Sequence, residues 1–139
     1  MIEEEYVGSK YHLAVAKRLY ENYSKFSDKR LIVGVINELA KATSKIIKAY
    51  LIHEKKRNLR DFIDVVGMKY FDKLTIDNLL KILEIERAQK SSPVEFAKGD
   101  KIIMLVDGKY RILTVGRLAE FIDSCDKVVA FFTLKFRQV

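Results

Sequence analysis

The sequence predicts a mainly α chain: an antiparallel bundle of four to five helices with a small β-hairpin before the last helix. Three observations predict it. Apolar residues recur at three- and four-residue spacing through several long segments, the mark of helices that bury one face. The chain has one proline and six glycines, so long irregular stretches have few places to form. Only "KIIMLVDGKYRILTV" departs from the helical pattern, as two β-branched and aromatic runs around Asp107-Gly108.

Each element follows from local residues. The first helix is expected from about Glu3 to Phe26, with Leu13, Val15, Ala16, Leu19, Tyr20, Tyr23 and Phe26 on its apolar side. "FSDKR" breaks it, and Ser27 or Asp28 can cap a second helix over about 29–56. Asn58 can cap a third segment whose stripe is Leu59, Phe62, Ile63, Val66 and Tyr70, loosened at its end by Gly67 and "FDKL". Thr75, with Asp77 in the first turn, starts a fourth helix to about Lys90. "SSPVEFAKGD" reads as loop or extended chain before the hairpin, whose turn asks for φ > 0 at Asp107 and Gly108. Thr114 caps a last helix carrying Leu118, Phe121, Ile122, Cys125, Val128, Val129, Phe132 and Phe136, with Phe131 off that stripe.

The 139 residues fit one domain, 1–139, without repeat, low-complexity tract or linker. One cysteine, Cys125, can form no internal disulfide. Two histidines forty residues apart make a metal site or cofactor an unsupported expectation. An acidic start without an apolar stretch, and no run near the ~20 apolar residues that cross a bilayer, suggest a cytoplasmic protein with no membrane partner. Few Asn and Gln beside much Lys, Glu and Ile suggest a thermophile.

The net charge of +7 is concentrated. On a helical wheel the second helix turns Ile32, Val35, Ile36, Leu39, Thr43, Ile46, Ile47 and Tyr50 one way, and Asn37, Lys41, Lys45, Lys48, Lys55 and Lys56 the other. Over 41–60, Lys41, Lys45, Lys48, Lys55, Lys56, Arg57 and Arg60 face Glu54 alone. Two readings stay open: a solvated helix face whose last cations suit the macrodipole, or a surface for an anion such as RNA.

Other candidates are weaker. His53 and Arg57 become i, i+4 neighbours if the second helix reaches residue 57, and could then converge on a phosphate; the plain alternative is an exposed histidine at a basic helix end. His12 falls in the first helix's apolar arc, where a tyrosine or carbonyl is its usual partner. Tyr6, Tyr11, Tyr20 and Tyr23 can stack bases or fill a seam. Glu95, Asp100 and Asp107 show no convergence for acid–base work, and nothing near Ser91-Ser92-Pro93 would activate a serine.

The long first helix, "NELAKATSKIIKAYL" in the second and "ERAQKSSPVEF" at the end of the fourth together resemble the HEPN-like superfamily, in a form similar to its uncharacterised archaeal members. The resemblance implies a homodimeric helical bundle that binds or cuts RNA, or pairs with a nucleotidyltransferase or another protein partner. Its ribonucleases carry an arginine followed four to six residues later by a histidine, and here no arginine has a histidine downstream within ten residues. Arg87, nearest the expected place, is followed by Gln89 and Lys90. The reading that results is a non-catalytic homodimeric binding module for RNA or a protein. The alternative is a metal-independent, toxin-like ribonuclease with a displaced residue set. The aromatic residues Phe121, Phe131, Phe132 and Phe136 are the reason to expect a second copy on the last helix.

Overall fold

Side-chain caps open each of the main helices after the first. Asp28 accepts from the Arg30 amide and starts α2 (Lys29–His53) after α1 (Ile2–Phe26). Asn58 accepts from the Asp61 amide at 2.9 Å and starts α3 (Leu59–Asp61). A π-helical turn, Phe62–Gly67, and α4 (Met68–Tyr70) continue from α3. Asp72, not Thr75, accepts the amide that opens α5 (Lys73–Ser91); Thr75 is the donor and its side chain is buried. Strands β1 (Val94–Lys98), β2 (Lys101–Val106) and β3 (Lys109–Thr114) follow, and Thr114 caps α6 (Val115–Phe136) through the Arg117 amide. The computed structural model describes residues 1–26, 28–91, 94–98, 101–106 and 108–136. Ser27, Ser92, Pro93, Asp100 and Asp107 lie outside these.

The architecture is the expected helical bundle with a small antiparallel sheet before the last helix. The sheet has one strand more than a hairpin: its order is β1-β2-β3, so part of "SSPVEFAKGD" pairs with β2 through Ala97↔Ile102 and Lys98↔Lys101. At the β2–β3 turn Gly108 takes φ +77°, a conformation that costs glycine nothing. Alternation places Ile102 and Met104 inward, both buried, while Tyr110 and Ile112 on β3 stand 70% and 65% exposed on the outer face.

Packing fixes the helix directions. Gly8 lies against Lys45, and Gly34 against Leu19, so α1 and α2 run antiparallel. Tyr6 meets Thr133 and Lys17 meets Asp126, so α6 also runs antiparallel to α1. Across the core Thr43 donates to the Cys125 sulfur and the Tyr50 hydroxyl donates to the Val128 carbonyl at 2.7 Å. Burial pushes the Cys125 thiol up to about 12, so it packs as a small apolar group and not as a nucleophile.

The third segment departs from a regular helix. Phe62–Gly67 form a π-helical turn, in which Phe62, Val66 and Gly67 are buried. Gly67 closes it where a Cβ would meet Ile76 Cδ1 at 2.7 Å and the Phe62 carbonyl oxygen at 3.0 Å. Beside it, Tyr50 is fully buried among Phe62, Phe71, Phe132 and Phe136, with ring centroids 5.1–6.0 Å away. Phe131 packs on Tyr70 and Phe71 at 5.3 and 5.4 Å, and Phe121 and Phe132 are buried. The aromatic residues expected to seat a second copy are therefore used inside the chain.

Candidate functional site: the α1/α2 face

Helix α2 ends earlier than its charge pattern suggests. The Lys55 amide donates to the Ile52 carbonyl and the Lys56 amide to the Leu51 carbonyl, the paired bonds of a Schellman stop. Lys55 takes the left-handed conformation there (φ 58°), a place usually held by glycine. The helix stops at His53, so Arg57 is not its i+4 neighbour, and the geometry that would have joined the two on one phosphate is not formed. His53 lies over the Phe136 ring instead, at 3.8 Å between centroids.

The basic stripe thus divides in two. Lys41, Lys45 and Lys48 stay on the helix; Lys55, Lys56 and Arg57 belong to the turn beyond it, and Arg60 to α3, where it pairs with Asp64 at 3.5 Å. Glu54 is not the counter-charge of this turn. It accepts from the Tyr70 hydroxyl at 2.5 Å and pairs with Lys69, and the Tyr70 hydrogen bond holds its carboxyl below the usual glutamate value. Among the described residues no carboxylate lies within 4 Å of the charged groups of Lys45, Lys48, Lys55, Lys56 or Arg57.

On the helical half Lys41 and Lys48 are exposed, and Lys45 is half-buried. This half lies along α1. The Lys45 stem crosses Gly8, whose missing side chain makes the room: a Cβ there would sit 2.7 Å from Lys45 Cδ. One turn on, His12 Nδ1–H donates to Glu38 Oε2 at 2.5 Å, and Glu38 Oε1 faces Lys41 Nζ at 3.6 Å. The partner of His12 is a carboxylate from α2, where a tyrosine or carbonyl was expected. Both side chains are about one-fifth exposed. The Tyr11 ring stands edge-on to the imidazole at 5.1 Å.

Two of these residues, Glu38 and Tyr11, carry no motif. The signal that could have found Glu38 is the short break near residue 27: folding an antiparallel pair about it sets residue 12 beside 38–41 and residue 8 beside 45. The four tyrosines separate by burial. Tyr6 and Tyr23 are core, Tyr20 donates to the Val115 carbonyl, and Tyr11 stands 63% exposed.

The arrangement offers lysine ammonium groups, a carboxylate-oriented imidazole and an aromatic ring on one surface. His12 Nε2 has no hydrogen-bond partner among the described residues. No group of three or more His, Cys, Asp or Glu able to hold a metal occurs among the described residues, and no helix there is long and apolar enough to cross a membrane. Comparison of the chain with protein-family models, curated proteins and solved structures found no match. No family is shown.

Proposed function

We propose that this protein is a non-catalytic binding module that takes up RNA on the α1/α2 face and the turn after α2. The observation that carries the reading is the clustering of five cations without a carboxylate partner, Lys45, Lys48, Lys55, Lys56 and Arg57, within residues 45–57; other described lysines such as Lys10, Lys25 and Lys73 also form no ion pair but lie scattered over the chain. Unpaired cations hold counterion-releasing capacity for phosphates, and lysine contacts phosphate as a flexible point charge, without reading sequence.

A filter-binding titration tests it. Replacing Lys41, Lys45 and Lys48 together with Gln should weaken binding to every RNA sequence about equally and flatten the salt dependence by roughly one unit of slope per lost contact. No affinity in the parent protein at near-physiological salt sinks the reading and leaves the stripe a solvated face.

Metal-independent RNA cleavage is the second reading, and one observation favours it: His12, oriented by Glu38, stands beside the lysines as an acid–base group. Labelled RNA in the same titration should stay intact. Cleavage that disappears in His12→Ala would establish the second reading over the first.

The homodimer belongs to the proposal on different residues from those the sequence suggested, the exposed Tyr110 and Ile112 of the outer sheet face. Light scattering should give twice the chain mass at micromolar concentration, falling to the monomer in Ile112→Lys. A monomeric parent removes the homodimer from the reading.

A further inference from the structure

The α1/α2 face carries more than charge. Tyr11 is a large exposed aromatic with its hydroxyl unbonded among the described residues, and it stands between two different surfaces. On one side is the α2 seam, where Gly8, one turn below Tyr11, receives the Lys45 stem, and where His12 links through Glu38 to Lys41. On the other is an open cleft of about 520 Å³ lined by Glu3, Tyr6, Val7, Lys10, Tyr11 and Thr133. The Tyr6 hydroxyl bonds Thr133 Oγ1 at 2.6 Å along the wall of this cleft, and Lys10 Nζ lies over the Tyr6 ring at 5.5 Å. Val7, also exposed, extends the apolar ledge one turn toward the N-terminus.

We infer that this ledge is a base-stacking platform and that the ligand of the α1/α2 face is single-stranded nucleic acid; the inference rests on the RNA-binding reading above. Charge sorts the ligand's parts. Lys41, Lys45 and Lys48 attract phosphates along the α2 side, while the cleft, lined by one lysine and one glutamate among uncharged groups, offers no excess of positive charge to compete for them. A neutral, flat base fits between, with its face on the Tyr11 ring. A duplex keeps its bases stacked inside and offers this ring only backbone, so it gains the lysine contacts and loses the stacking. Stacking on an aromatic side chain is tolerant of base identity, which agrees with lysines that carry no sequence information.

The chain has no tryptophan, so Tyr11→Trp places a single reporter on the ledge. Titration with a single-stranded oligonucleotide should quench its emission in step with binding, and the same sequence annealed to its complement should not. In the parent, single-strand affinity should exceed duplex affinity. Tyr11→Ala should lower single-strand affinity about 5- to 150-fold, the range of one lost stack, with less than a twofold effect on the duplex. Tyr11→Phe should retain single-strand binding. Because Tyr11 is mostly exposed, circular dichroism of Tyr11→Ala should match the parent. Equal affinity for duplex and single strand, or full single-strand affinity in Tyr11→Ala, overturns the platform and leaves the lysine reading standing. A parent that binds neither overturns both.

Discussion

The two halves of the α2 basic stripe have the same sign of charge and do different physical work. In the helical half, Lys41, Lys45 and Lys48 lie along α1, over glycine and around the His12–Glu38 pair, next to an exposed tyrosine. In the other half, Lys55, Lys56 and Arg57 occupy the turn that follows a helix end whose Tyr50 and His53 both pack on Phe136. There the chain has to stop a helix, and Lys55 accepts an unfavourable backbone conformation to do it. Charge density read along a sequence does not distinguish lysines set on a helix beside a packed neighbour from cations at a helix end; backbone geometry does.

The sharpest way to break the comparison is at the aromatic cluster around Tyr50. Tyr50→Ala should cost about 3–5 kcal/mol, as for other large-to-small changes in a packed core. Tyr50→Phe should cost about 1 kcal/mol, since the buried hydrogen bond from the Tyr50 hydroxyl to the Val128 carbonyl is lost. Urea unfolding measures both, and a Tyr50→Ala loss below 1 kcal/mol would show that the cluster does not anchor this end of α2.

A smaller change of opposite sign is expected one turn on. Lys55→Gly should stabilise the fold by about 0.5–1 kcal/mol, because glycine adopts positive φ without the steric penalty lysine incurs. Thermal unfolding at matched salt reads it. A destabilised variant would mean that the Lys55 ammonium contributes more at the helix C-terminus than its backbone costs.

The smallest effect belongs to the helical half. The Lys41, Lys45 and Lys48 triple change to Gln should move stability by less than about 0.5 kcal/mol, since Gln is nearly as good a helix former and the charged heads face water. A loss above 1 kcal/mol would reassign the Lys45 stem over Gly8 from binding surface to packing element.

How far the sequence carried differs between these regions. The break before Asp28, the caps at Asn58 and Thr114 and the apolar stripes of α1, α2, α5 and α6 are legible because each depends on residues within a few positions of one another. There is one exception: Phe26, expected on the apolar side of α1, stands 73% exposed at the helix end, where α2 no longer covers it. Helix α2 ends at His53, three residues before the expected 56; nothing in "HEKKRN" resembles the usual glycine stop. Likewise β1 lies in a stretch that reads as loop or extended chain: a strand with few local signals forms when β2 supplies its hydrogen bonds.

By itself the sequence determined the long helices and most of their buried residues, consequences of short-range periodicity and capping. The tertiary structure decided which polar groups meet. His12 reaches Glu38 across 26 residues, and Phe131 finds Tyr70 and Phe71 rather than a second copy. The tertiary structure also decided that, of Tyr6, Tyr11, Tyr20 and Tyr23, only Tyr11 stands mostly exposed, and that it stands beside lysines. The physical reason is common to these outcomes. A helix is specified by bonds four residues apart, whereas a site is specified by the register in which two helices pack, and that register is set by small residues such as Gly8 and Gly34 whose role appears only when another helix lies against them.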